Sequence, residues 1–138
     1  AEFELRMGEL SAQGETLTAD LLSREYKALN EAYFGPDMVS DDQIALEWSR
    51  IPHFYYNYYV FQYATGYSAA IALSRRILQE GEPAVKDYLE FLSGGCSKDP
   101  IDLLKGAGVD MTSPQPIQAA LDLFDSLLDE METLTDFS

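Results

Sequence analysis

The feature that most constrains this chain is an aromatic stretch that contains no strong helix breaker. The stretch follows Pro52, and the next break is Gly81-Glu82-Pro83. It carries the only histidine and six of the nine tyrosines, all between positions 53 and 67. We therefore predict one long helix from about His53 to Glu80, long enough to cross a small domain.

One face of this predicted helix combines the histidine with tyrosines. At 100° per residue, His53, Tyr56, Tyr63 and Tyr67 fall within one quadrant, and Tyr59 lies just beyond it. Apolar residues occupy the other side, which predicts a buried central helix. Because buried phenols need hydrogen-bond partners, the face is either a core network that ends at backbone carbonyls or the wall of a polar substrate groove. Periodicity alone does not choose between these alternatives.

The charge and cysteine content exclude several classes of function. The net charge of -15 over 138 residues argues against binding to nucleic acid or to anionic lipid surfaces. One cysteine cannot form an internal disulfide framework, so a reducing, cytoplasmic location is expected. No apolar run reaches the length of a membrane span. The chain begins without a methionine and inside a helical pattern, and we interpret it as a fragment of a longer protein.

The remaining segments also carry helical start and stop signals. They predict helices with these limits: from the N-terminus to Gly14, from Thr16 or Thr18 to Phe34, from Ser40 to about Arg50, from Gly81 to Gly94, from Asp99 to Gly106, and from Ser113 towards a frayed end at Asp136-Phe137-Ser138. Pro52 disfavours helical geometry at Ile51. No segment alternates with period two, so the fold class is all-α, with residues 1–138 forming a single helical region.

Complete catalytic motifs are not found in the chain. One histidine and one cysteine do not make a zinc site, and no His-Glu-x-x-His or calcium-loop pattern occurs. A nucleophile pair of Cys96 with His53 is far less plausible than an incidental thiol, because Cys96 follows two glycines in a break between helices. His53 either closes the corner after Pro52 or points with Tyr56 and Tyr63 into a cleft.

Three stretches, in the same order along the chain, resemble a known family, and the resemblance extends over essentially all 138 residues. They are residues 1–6 (AEFELR), residues 47–66 (EWSRIPHFYYNYYVFQYATG) and residues 92–104 (LSGGCSKDPIDLL). They are similar to the C-terminal region of oligoendopeptidase F, in the thimet-oligopeptidase-like zinc metallopeptidases. The resemblance implies a mostly helical, zincin-like enzyme with a deep channel for oligopeptide substrates.

The resemblance also implies where the metal and its ligands lie. Zinc would be held by a His-Glu-x-x-His helix and a further glutamate, and the glutamate of the motif would act as general base. All of these would lie upstream of Ala1, so this chain would contribute no metal ligand and would be inactive alone. It would be the C-terminal fragment of the catalytic domain, lining the substrate channel and packing against the missing N-terminal part. Isolated, it would self-associate through exposed aromatic surface.

The resemblance assigns site residues one by one. His53, Tyr59 and Tyr56 are the catalytic candidates, as donors to the substrate carbonyl, and Tyr63 joins them as a substrate-binding candidate. Helical phase favours Tyr56 and Tyr63 beside His53, whereas the family pattern favours Tyr59. Phe61 stands where related sequences often have tyrosine, so no hydroxyl is available there. The alternative function is a non-catalytic, acidic helical interaction domain.

Overall fold

The computed structural model describes residues 1–135, and all regular structure in that range is helical. The α-helices are α1 (Glu2–Ala12), α2 (Ala19–Phe34), α3 (Phe61–Glu80), α4 (Glu82–Ser93), α5 (Pro100–Gly106) and α6 (Gln115–Leu134). Two 3-10 helices, Ile44–Arg50 and Pro52–Tyr55, lie between α2 and α3. The predicted all-α class is confirmed. The end expected to fray, Asp136-Phe137-Ser138, lies outside the described residues.

The chain forms two compact units, Ala1–Gln62 and Tyr63–Ser138, with the boundary in the first turn of α3. The interpretation of residues 1–138 as one region of a longer catalytic domain stays a prediction. Within residues 1–135, no helix is both long enough and apolar enough to cross a membrane.

The limits of α1 and α2 follow the predicted signals. Thr18 caps α2, because its Oγ1 accepts a hydrogen bond from the backbone N–H of Leu21 at 3.2 Å. The first helix ends two residues before Gly14, whose φ of 85° lies in the left-handed region. The helix predicted from Ser40 is instead a 3-10 helix that begins at Ile44, whose backbone N–H donates to Asp41 Oδ1 at 2.8 Å.

An aromatic cluster forms the core of the first unit. Phe3 is buried, with its ring centroid 5.1 Å from Phe54, 5.2 Å from Tyr26 and 6.5 Å from Trp48. The contacts with Phe54 and Tyr26 are edge-on, and such contacts contribute about 0.5–1.5 kcal/mol each beyond burial. The cluster connects α1 and α2 to both 3-10 helices, so it fixes the backbone on either side of Pro52.

The prediction of one helix from His53 to Glu80 is wrong in its first part. The chain makes one 3-10 turn at Pro52–Tyr55, is not helical at residues 56–60, and enters α3 at Phe61. Asn57 and Tyr58 have φ values of 49° and 61°, in the left-handed region, where a right-handed helix cannot continue. Ile51, in contrast, is extended with ψ of 98°, as its position before Pro52 predicts.

Arg76 links three helices of the second unit. Its guanidinium donates to the carbonyl oxygen of Ala107 at 2.5 Å, to Asp87 at 2.7 Å and to Glu80 at 3.0 Å. The apolar core of this unit contains Ala69, Leu73, Ala107 and Val109. Arg76 therefore ties α3 to α4 and to the end of α5, rather than only complementing the helix dipole as its position near the end of α3 suggests.

A half-buried phenol makes the stability of the first unit sensitive to alkaline pH. The Tyr26 hydroxyl donates to Glu47 Oε2 at 2.9 Å, and burial together with this carboxylate raises its pKa from 10.0 to about 12. The unfolded chain loses this proton near pH 10 and the folded chain near pH 12. The contribution of Tyr26 to the free energy of unfolding is therefore present below pH 10 and is lost between pH 10 and pH 12. We expect the denaturation midpoint of the native chain to fall more steeply over this range than that of Tyr26→Phe. Parallel curves for the two proteins would contradict the assignment.

Candidate active-site surface around His53

The backbone position of His53, the only histidine, is fixed through Phe54, the next residue in the chain. His53 lies in the 3-10 helix Pro52–Tyr55, and Phe54 of the same turn packs into the aromatic core against Phe3 and Tyr26. Pro52 sets the start of the turn, since its ring fixes φ. His53 itself is half-buried. The imidazole therefore lies beside an anchored residue, at the surface of the first unit.

His53, Tyr56 and Tyr59 form a group of three mutually contacting rings, which we call the His53 ring cluster. The imidazole is stacked on Tyr59, with a centroid distance of 5.6 Å and an interplanar angle of 21°. Tyr56 meets His53 edge-on at 6.0 Å and Tyr59 edge-on at 6.2 Å. Tyr56 is 58% exposed and Tyr59 is 37% exposed. Hydrogen-bond donors of three side chains thus share one partly open surface.

The non-helical backbone explains why both tyrosines meet the imidazole. On a continuous helix, Tyr59 would lie outside the quadrant of His53 and Tyr56, which is why phase and family pattern disagreed. The turn at residues 56–60 removes that constraint and brings both rings to His53. Helical phase favoured Tyr56 and the family pattern favoured Tyr59, but both rings contact the imidazole, so one assignment does not exclude the other.

Tyr63 lies in the second unit, on the first turn of α3, and its side chain is 57% exposed. Its assignment as a substrate-binding residue stays a prediction. Phe61 is also exposed, and as a phenylalanine it offers no hydroxyl. Cys96 is an exposed free thiol in the segment between α4 and α5.

Sequence reasoning missed the residues of α1 that support the turn at residues 56–60. Glu4 is buried, and its Oε2 accepts a hydrogen bond from the backbone N–H of Val60 at 3.1 Å. Gly8 lies one helical turn later, and a Cβ there would overlap the phenol oxygen of Tyr58. In the sequence, Glu4 is an ordinary acidic residue in the first turn of a helix, where the helix dipole favours it. Only its contact with Val60 in the structure shows that it supports the turn.

No group of three or more His, Cys, Asp or Glu side chains is placed to hold a metal ion within residues 1–135. The family resemblance places the zinc ligands upstream of Ala1, so zinc in the longer enzyme stays a prediction, and we derive no step through a metal from this chain.

The fold and the sequence place the chain in a class of proteolytic enzymes. The model of peptidase family M3 matches residues 1–123, and the chain belongs to this family. It is 62% identical over 134 residues to "Oligopeptidase PepF" of Bacillus subtilis (strain 168), covering 97% of this chain and 20% of that protein. It is 42% identical over 136 residues to "Oligoendopeptidase F, chromosomal" of Lactococcus lactis subsp. cremoris, covering 99% and 23%. The resemblance to oligoendopeptidase F is thereby confirmed.

A solved structure agrees with these relatives. The crystal structure of oligoendopeptidase-F from Enterococcus faecium superimposes with a TM-score of 0.85 at 47% identity, over 98% of this chain and 26% of that one. The chain therefore spans about a fifth to a quarter of the length of the proteins that it matches.

Proposed function

We propose that this chain is the substrate-channel part of a zinc metalloendopeptidase that hydrolyses oligopeptides. The observation that carries the proposal is the His53 ring cluster, in which an imidazole and two phenols contact each other on a partly exposed surface. Relatives named oligopeptidase and oligoendopeptidase support the substrate class. The zinc and its ligands would belong to the part of the enzyme outside this chain, and cytoplasmic location is kept as an expectation.

In the proposed role, the ring cluster binds the substrate at the carbonyl that reacts. The imidazole N–H of His53 and the hydroxyl of Tyr59 or Tyr56 donate hydrogen bonds to the carbonyl oxygen, which becomes an oxyanion in the tetrahedral intermediate. Donors fixed in advance stabilise this developing charge because they need no reorganisation during the reaction. The stacking of Tyr59 on His53 orients the imidazole, and bound peptide would exclude water from the exposed edges of the three rings.

Exposed apolar side chains support the part of the proposal that concerns the rest of the enzyme. Large side chains such as Tyr33, Phe34, Leu78 and Phe124 are more than half exposed. Exposed large apolar side chains in both units are consistent with a chain that another part of the enzyme covers, since contiguous apolar surface marks interaction sites. In the proposal, the remaining part of the peptidase covers these side chains, and self-association is the expected behaviour of the isolated chain. The alternative of a non-catalytic interaction domain would use the same exposed side chains, but it assigns no role to the ring cluster.

Photo-crosslinking tests the channel assignment without changing any candidate residue. An oligopeptide with a diazirine side chain at its centre is bound to the full-length peptidase that contains this segment, irradiated, and mapped by mass spectrometry. We expect crosslinks at residues 53–59 that excess unlabelled peptide abolishes. The control is the same peptide with the diazirine moved to a terminus, which should label other positions. Crosslinks confined to other segments, in an enzyme that cleaves the peptide, would contradict the proposal.

A further inference from the structure

We propose that Glu4 is a positioning residue that holds the turn at residues 56–60 and thereby keeps Tyr59 stacked on His53. The structural part of this inference stands on the contacts of the first unit alone. Its catalytic consequence rests on the proposed function of the His53 ring cluster.

The hydrogen bond of Glu4 reaches the residue that directly follows Tyr59. Glu4 lies in the first turn of α1, is only 4% exposed, and accepts from the backbone N–H of Val60 at 3.1 Å. A hydrogen bond to a carboxylate is about twice as strong as one between neutral groups. The position of the Val60 backbone fixes where the preceding residue leaves the turn, and so fixes the Tyr59 ring.

The second oxygen of Glu4 shows that packing alone does not explain a glutamate at this position. Oε1 is buried and has no hydrogen-bond partner within residues 1–135. A buried polar atom without a partner is costly, and an apolar side chain at this position would stabilise a helix-packing contact better. The helix dipole explains an exposed acidic residue such as Glu2, but it does not require a buried one. The contact with Val60 requires a hydrogen-bond acceptor, which an apolar side chain at this position would lack.

The turn needs external support because its backbone is strained. Asn57 and Tyr58 are consecutive non-glycine residues with φ of 49° and 61°. Residues in such conformations cost about 1–3 kcal/mol each and persist only where the surroundings determine them. Glu4 and Gly8 lie on one face of α1, four residues apart, and they contact Val60 and Tyr58 respectively. One helix face therefore supports both the centre and the end of the turn.

The single histidine gives a direct readout in the 138-residue chain. The His53 imidazole proton on Cε1 has one NMR resonance, and the ring current of the stacked Tyr59 displaces it. In Glu4→Met, which removes the acceptor at similar volume, we expect this resonance to move towards that of a free imidazole. We also expect the Val60 amide to exchange with solvent about tenfold faster. Glu4→Gln keeps one acceptor oxygen and should restore both signals.

The matched control is Glu9→Met, which makes the same change at an exposed position of α1. It should leave the His53 resonance and the Val60 exchange rate unchanged. A folded Glu4→Met protein with native values of both would overturn the inference. If Glu4→Met does not fold, the test is made on the native chain. We expect an NMR scalar coupling between the Val60 nitrogen and Glu4 Cδ across their hydrogen bond, and its absence overturns the inference.

Kinetics of the full-length peptidase separate this inference from the proposed function. If both hold, Glu4→Met lowers kcat with little change in KM, and Glu4→Gln restores kcat. If the NMR signals change while kcat does not, Glu4 still positions the turn, and it is the catalytic role of the His53 ring cluster that fails.

Discussion

Replacing His53 with alanine in the full-length peptidase should lower kcat for an internally quenched oligopeptide by about 10²–10³, the usual loss when one oxyanion donor is removed. Tyr59→Phe should also lower kcat, because it deletes the hydroxyl but keeps the ring against the imidazole. KM should change less than kcat, because a donor to the oxyanion acts more strongly on the transition state than on the bound substrate.

The control for this prediction is Tyr55→Phe. Tyr55 and Tyr56 are adjacent and equally exposed, at 58%, but only Tyr56 contacts the His53 ring. Tyr55→Phe should therefore keep native kcat, whereas Tyr56→Phe should lower it. Zinc content is measured in parallel, so that loss of metal is not mistaken for loss of a donor. An unchanged kcat in His53→Ala with full zinc content would leave His53 only the role of closing the corner after Pro52.

Local signals in the sequence were sufficient for most helix limits. Thr18, the glycines after α1 and α2, and Pro83 and Pro100 at helix starts act within a few residues of their own backbone, and the structure follows them. Such signals are local because caps and fixed φ angles involve only neighbouring residues. The all-α class could therefore be predicted without any knowledge of how the helices pack.

The turn at residues 56–60 could not be predicted in this way. Asn57 was the only local signal of this turn, since asparagine tolerates left-handed geometry. It stands within a run of aromatic residues that favours continuation of the helix. The stabilising contacts come from Glu4 and Gly8, which are about fifty residues away in the sequence. His53, Tyr56 and Tyr59 were found as candidates, but their mutual geometry depends on this distant support.

The aromatic core beneath His53 predicts the largest effect on stability. Phe3 is 4% exposed and contacts Tyr26, Trp48 and Phe54. Phe3→Ala removes a whole ring from this packing, and such changes cost about 3–5 kcal/mol, because transfer free energy is lost and a cavity remains. The cost should fall on the first unit, since all three contacted rings belong to residues 1–62.

Chemical denaturation followed by the fluorescence of Trp48, the only tryptophan, measures this effect in the unit where it occurs. Far-UV circular dichroism of the same samples corrects for any change in the native signal of Trp48 caused by losing its neighbour. Phe34→Ala is the matched control, because Phe34 is exposed at the end of α2, and the same deletion there should change the free energy of unfolding by less than about 1 kcal/mol. Equal effects of the two substitutions would show that Phe3 does not anchor the core. The 3-10 helix that carries His53 would then have to be held mainly by its other contacts, with Tyr26 and with the turn at residues 56–60.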